Sequence, residues 1–171
     1  MAAEARKTGM DMGDLQDLEP LAKRLNAATE SLNTALQSIQ DRLNALGIGV
    51  EVWLKDTPIE ESDWREILDR DQEPTNGREF TAEELGYGRL GDGWALLVRT
   101  RRYVEGPGLN GILTTEAYDD GDEVKPLLRA SRKARLAAVP LIPKLVDLVK
   151  TKAEAALKAV EAAQKIAESL K

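Results

Sequence analysis

Two stretches of heptad-spaced apolar residues at the chain ends, with an alternating, glycine-punctuated stretch between them, predict an α+β fold. The expected architecture is two long helices, paired antiparallel like a coiled coil, packed with a small antiparallel β-sheet from the middle of the chain. The 171 residues suffice for a single domain with its own core. Only 4% are aromatic, so that core is expected to rest on Leu, Val, Ile and Ala.

Residues 1–16 are expected to fray as a flexible N-terminus, and 17–46 to form the first long helix. Leu18, Leu25, Leu32, Ile39 and Leu46 recur every seven residues. Leu21, Ala28 and Ala35 supply the second position, and Leu36 and Leu43 widen the stripe. Asp17 can cap the start, Pro20 is tolerable in the first turn, and Gly47 and Gly49 stop the helix.

The middle, 47–125, reads as the sheet with one helical insertion. "IGVEVWLK" (48–55) alternates apolar and other residues and predicts a strand. "PIEESDWREILDRD" places Trp64, Ile67 and Leu68 on one side of a short helix over 59–70. "QEPTNGREF" reads as a loop, 85–91 and 94–104 as strands, "EGPGLNG" as a turn, "ILTTEAY" as a strand and "DDGDE" as a turn.

Beyond it, "LLRASRKARLAAV" predicts a helix over 127–139, bent away at Pro140 and Pro143 from a long helix over 140–171. Val139, Ile142, Val146, Val149, Ala153, Ala156, Val160, Ala163, Ala167 and Leu170 step by three and four, the a/d seam of a coiled coil. In an antiparallel pair the leucines of 18–25 would lie beside the alanine-rich end, large against small. Leu36, Leu43, Leu145 and Leu148 would then be left over as apolar surface for a dimer.

"LGYGRLGDGWALLVR" (85–99) holds Gly86, Gly88 and Gly91 at the spacing G-x-G-x-x-G. A dinucleotide fingerprint must open a helix, yet a β-rich run follows here. A kinase phosphate loop needs a valine where Gly93 stands, together with downstream V-A-I-K, H-R-D and D-F-G motifs that the sequence lacks. The glycines therefore read as packing residues. Asp92-Gly93 turns a hairpin, and Gly86 and Gly88 make room for a helix or for a large side chain such as Trp94, Leu96 or Leu97.

The composition narrows the chemistry. There is no cysteine and no histidine, which removes thiolate and imidazole nucleophiles, bases and metal ligands. The cysteine-free chain fits a cytoplasmic location. The N-terminus has no apolar stretch long enough for a signal peptide or membrane span. A net charge of −6 argues against general binding to nucleic acid or an anionic membrane. Asp69, Asp71 and Glu73 alternate as in a calcium loop, but Pro74 and Phe80 stand where that loop needs glycine and glutamate. No catalytic, cofactor or metal residue is assigned.

One charge asymmetry stands out. Arg99, Arg101, Arg102, Lys125, Arg129, Arg132, Lys133 and Arg135 are basic, whereas 56–84 is strongly acidic. The two segments can match each other within the fold, or the basic one can form a patch for an anion or partner.

The expected function is that of a non-enzymatic interaction or assembly protein. Its helix seam comprises Leu18, Leu25, Leu32, Ile39, Leu46, Val146, Val149, Ala153 and Val160, and its partner is another protein or a second copy in a homodimer. The alternative is an anion or nucleic-acid binder using Arg99, Arg101, Arg102, Arg129, Arg132, Lys133 and Arg135. A carboxylate-dependent enzyme is a third class, with no nucleophile placed beside a base.

Overall fold

The computed structural model describes residues 12–68, 71, 74–107 and 113–169. The calcium-like Asp69 and Glu73, residues 108–111 of the expected 105–111 turn and most of the expected flexible N-terminus lie outside them, while 105–107 continue a strand instead of turning. The chain divides into two compact units, 1–39 and 40–171.

The first unit is the greater part of helix α1 (Met12–Ala45), which begins before the Asp17 cap and contains Pro20. Its leading heptad stripe is open: Leu18 is 52% exposed, and Leu21 and Leu25 are also exposed. The buried positions are Thr29 and Leu36, on the neighbouring row of the helix. Thr29 satisfies its hydroxyl locally, donating to the Leu25 carbonyl at 2.7 Å.

The second unit is built on an antiparallel sheet of six strands: β1 (Val52–Trp53), β2 (Glu60–Glu61), β3 (Arg65–Leu68), β4 (Pro74–Leu90), β5 (Gly93–Pro107) and β6 (Leu113–Pro126). Its spatial order is β1-β4-β5-β6, and β2 and β3 also pair with β4. A 3-10 turn (Leu127–Arg129), helix α2 (Arg132–Ala138), a second 3-10 turn (Val139–Leu141) and helix α3 (Ile142–Ser169) follow. Ser131 caps α2, its hydroxyl accepting from the Ala134 N–H.

The expectation of a small sheet is wrong. β4, β5 and β6 run 17, 15 and 14 residues. Apolar alternation does not reveal their far halves, where charged residues interrupt the apolar ones and strand pairing rests on cross-strand partners such as Arg78↔Glu105 and Phe80↔Tyr103. The segment expected as a helix over 59–70 instead carries β2 and β3. The Ile59 N–H bonds the Glu83 carbonyl at 2.6 Å, and the Ser62 N–H bonds the Thr81 carbonyl at 2.8 Å. Those ladder bonds override a weak helical spacing. "DDGDE" does not end its strand: between Thr100↔Glu123 and Arg102↔Tyr118 the register shifts, so that 119–122 face Arg101 alone as a bulge within β6.

The antiparallel helix pair is also overturned. A paired seam would bury its a/d residues, yet Leu18 and Leu25 on α1, Leu46 just past its end, and Val146 and Val160 on α3 are exposed. The residues expected as leftover surface are among the best buried: Leu36, Leu43 and Leu145. A straight helix turns every 3.6 residues, so a heptad row drifts round its cylinder. A helix lying on a sheet does not supercoil, and it buries whichever wide stripe faces that sheet. For α2 through α3 that stripe is Ala138, Leu141, Ile142, Leu145 and Val149, with α3 packed on β1 and β4. Leu85, Tyr87, Leu96, Leu97 and Val98 of the hairpin, on its two faces, and Leu127 are buried in the same unit.

The end of α1 within this unit is clamped to the hairpin. Gln40 Oε1 accepts from the Leu96 N–H at 3.0 Å, Asn44 Nδ2 donates to the Trp94 carbonyl at 3.0 Å, and the Tyr87 hydroxyl donates to Asn44 Oδ1 at 2.8 Å. Burial pushes the Tyr87 pKa up.

Candidate functional site

The β4–β5 hairpin turns at Gly91-Asp92, one residue before the expected Asp92-Gly93, because Leu90 pairs with Gly93. Gly91 takes φ +61°, a left-handed conformation that favours glycine. This two-residue loop sets the register for everything along the hairpin. Side chains alternate faces, so Arg78, Phe80, Glu84, Gly86 and Gly88 line one face of β4 opposite Glu105, Tyr103, Arg99, Leu97 and Ala95.

On that face the glycines do make room, and the occupant is Trp53. A Cβ at Gly86 would sit 2.3 Å from the indole, and one at Gly88 would sit 2.9 Å from Glu51 Cγ. Trp53 Nε1 donates to Glu51 Oε1 at 2.7 Å. The indole ring is also a lid for Arg99, whose guanidinium lies 4.3 Å from the ring centroid.

Beneath it Arg99 meets Glu84, which is fully buried. Arg99 Nε and Nη2 both donate to Glu84 Oε2, at 2.9 and 2.7 Å, and the Tyr103 hydroxyl donates to Glu84 Oε1. Burial and the adjoining carboxylate push the Tyr103 pKa up to about 12. Tyr103 stacks on Phe80 at 4.9 Å between centroids, Phe80 meets Trp64 at 4.4 Å, and Arg78 lies over Trp64. The result is a satisfied structural network. A phenol held protonated and a carboxylate tied to an arginine offer neither a nucleophile nor a free base.

Several of the remaining basic residues have partners within the chain. Arg102 pairs with Glu79, Lys133 with Glu60, and Lys125 lies 3.9 Å from Glu83. With Glu84, all four carboxylates come from the acidic segment 56–84. Arg135 Nη1 donates to the Leu128 carbonyl at 3.2 Å. Arg101 and Arg132 are half-buried, and Arg129 is exposed. Glu84 and Trp53 are the residues that sequence reasoning passed over. A fixed two-residue loop places Glu84 opposite Arg99, but that loop length is not determined by the sequence.

An open cleft of about 730 Å³ runs between α3 and the segment from β1 to Thr57. Glu51, Asp56 and Asp147 balance Lys55, Lys144 and Lys152 around it, so no net charge selects an ionic ligand.

The seam residues separate by position. Val149 is buried against the sheet, Ala153, Leu32 and Ile39 are half-buried, and the rest are open. From Glu154 to Ser169 every residue of α3 is exposed, including Leu157, Val160 and Ile166 at 59, 53 and 62%. Glu154 and Lys158, and Glu161 and Lys165, stand four apart in the favourable orientation. Among the described residues no helix is long and apolar enough to cross a membrane.

Comparisons with protein-family models, with curated proteins and with solved structures return no match. Fold and surfaces define a class, an α+β protein on a long antiparallel hairpin that presents an open, heptad-patterned helix.

Proposed function

We propose that this chain is a non-enzymatic interaction or assembly protein whose docking element is the exposed part of α3. One observation carries the reading: a strict three-and-four apolar seam continues through Ala153, Ala156, Val160, Ala163 and Ala167, where α3 has left the sheet. The chain's own core does not use that periodicity there. A regular seam on an exposed helix fits coiled-coil pairing with a helix from another chain. The triple variant Leu157→Glu, Val160→Glu, Ile166→Glu tests it. The variant should melt at the wild-type temperature but lose association with its partner, or with itself, in cross-linking and sedimentation. Undiminished association in the triple variant would move the docking element elsewhere.

A further inference from the structure

Resting on that reading, we infer that the partner of the open α3 seam is the α3 helix of a second copy, laid antiparallel across a two-fold axis.

Charge supports a second copy. Between Ala153 and Ser169 the charged residues are Glu154, Lys158, Glu161, Lys165 and Glu168. With Ala153, Val160 and Ala167 as a positions, and Ala156 and Ala163 as d positions, all five fall at b or f, on the side away from the seam. The e and g flanks are Leu157, Ala159, Gln164 and Ile166, with no charge. Coiled coils choose partners mainly through e and g charges. These flanks carry no code for a different partner and impose no like-charge penalty on a second copy.

Size supports the antiparallel direction. In a parallel in-register pair each residue meets its own equivalent. Ala153, Ala156, Ala163 and Ala167 would form thin layers around a bulkier Val160 layer. In an antiparallel pair a positions face d positions. Val160 then meets Ala163 of the second copy, and Ala156 meets Ala167. On the flanks Leu157 meets Gln164, and Ile166 meets Ala159. Every large side chain faces a smaller one, the arrangement that interdigitates at close approach. The overlap uses only the open part of α3 and leaves Ile142, Leu145 and Val149 on their own sheet. The contact is isologous and closes at two copies.

The natural chain has no cysteine, so engineered thiols report the pairing alone. Ala156→Cys and Ala167→Cys proteins are each oxidised separately and then as a mixture. The mixture should give a disulfide-linked dimer in large excess over either protein alone. Sedimentation of the wild type should show a monomer–dimer equilibrium that Val160→Glu shifts to monomer. Efficient self-cross-linking of Ala156→Cys alone would overturn the antiparallel direction. A concentration-independent monomer, uncross-linked in every combination, would overturn the second copy as partner. Loss of a different partner in the triple glutamate variant would still leave the docking role of α3 standing, so the two ideas fail separately.

Discussion

The two ends of the β4–β5 hairpin share one register and are stabilised differently. Near the turn, Leu85, Tyr87, Leu96, Leu97 and Val98 are buried, and the strands are held by what packs on them. At the far end, from Gly77 to Thr81 and from Thr100 to Gly106, no side chain is buried. There the strands are held by pairs across the ladder: Arg78 with Glu105 at 2.7 Å, Arg102 with Glu79, and Phe80 on Tyr103. The Glu84–Arg99–Tyr103 cluster stands at the border. Burial makes each contact near the turn costly to lose, whereas solvent screens the contacts at the far end.

Substitutions should break the comparison most sharply at that border. Arg99→Ala leaves the buried Glu84 carboxyl without its partner, and stability in urea should fall by about 3–5 kcal/mol. A loss under ~1 kcal/mol, the surface range, would mean that Glu84 is solvated. Leu97→Ala, near the turn, should cost about 2–5 kcal/mol. Gly86→Val pushes against the Trp53 indole and should cost about 1–3 kcal/mol, with a change in tryptophan emission. Arg102→Ala, at the far end, should cost only about 0–1 kcal/mol and less in high salt. A cost there matching that of Leu97→Ala would erase the distinction.

Tyr103 adds a pH test. Its pKa lies at about 12, above the ordinary 10.0, so the folded state holds the phenol proton more tightly than the unfolded state does. The stabilisation is complete below the unfolded pKa and is lost as pH rises through the folded one. Phenolate absorbance of the wild type minus that of Tyr103→Phe should rise near pH 12. A rise near pH 10 would detach Tyr103 from Glu84.

What the sequence made legible follows the same division. Both long helices and the hairpin near its turn were visible because apolar residues recur there at a regular period. The packing role of Gly86 was visible too, but its occupant was not, since Trp53 arrives from a strand some thirty positions away. The far end of the sheet was invisible: "REFTAEE" against "TRRYVEG" has little apolar alternation, and its complementarity appears only once the loop length sets Arg78 opposite Glu105. The heptads misled for a related reason. Both helices carry two adjacent apolar rows, and the burial cuts across them: Leu18 and Val146 of the longer rows are exposed, while Ile142 and Val149 of the same α3 row are buried. Leu43 and Leu145 lie on the shorter row, selected by the sheet.

Gripped by its sheet only as far as Val149, α3 is a lever. The twenty residues beyond that point span about 30 Å at 1.5 Å per residue, so a tilt of ~10° at the grip swings the far end by ~5 Å. The Glu–Lys spacings along it favour a stiff rod over a frayed one. A small repacking under Leu145 would therefore arrive at Ile166 as a displacement comparable to one helical turn, far larger than the movement that caused it.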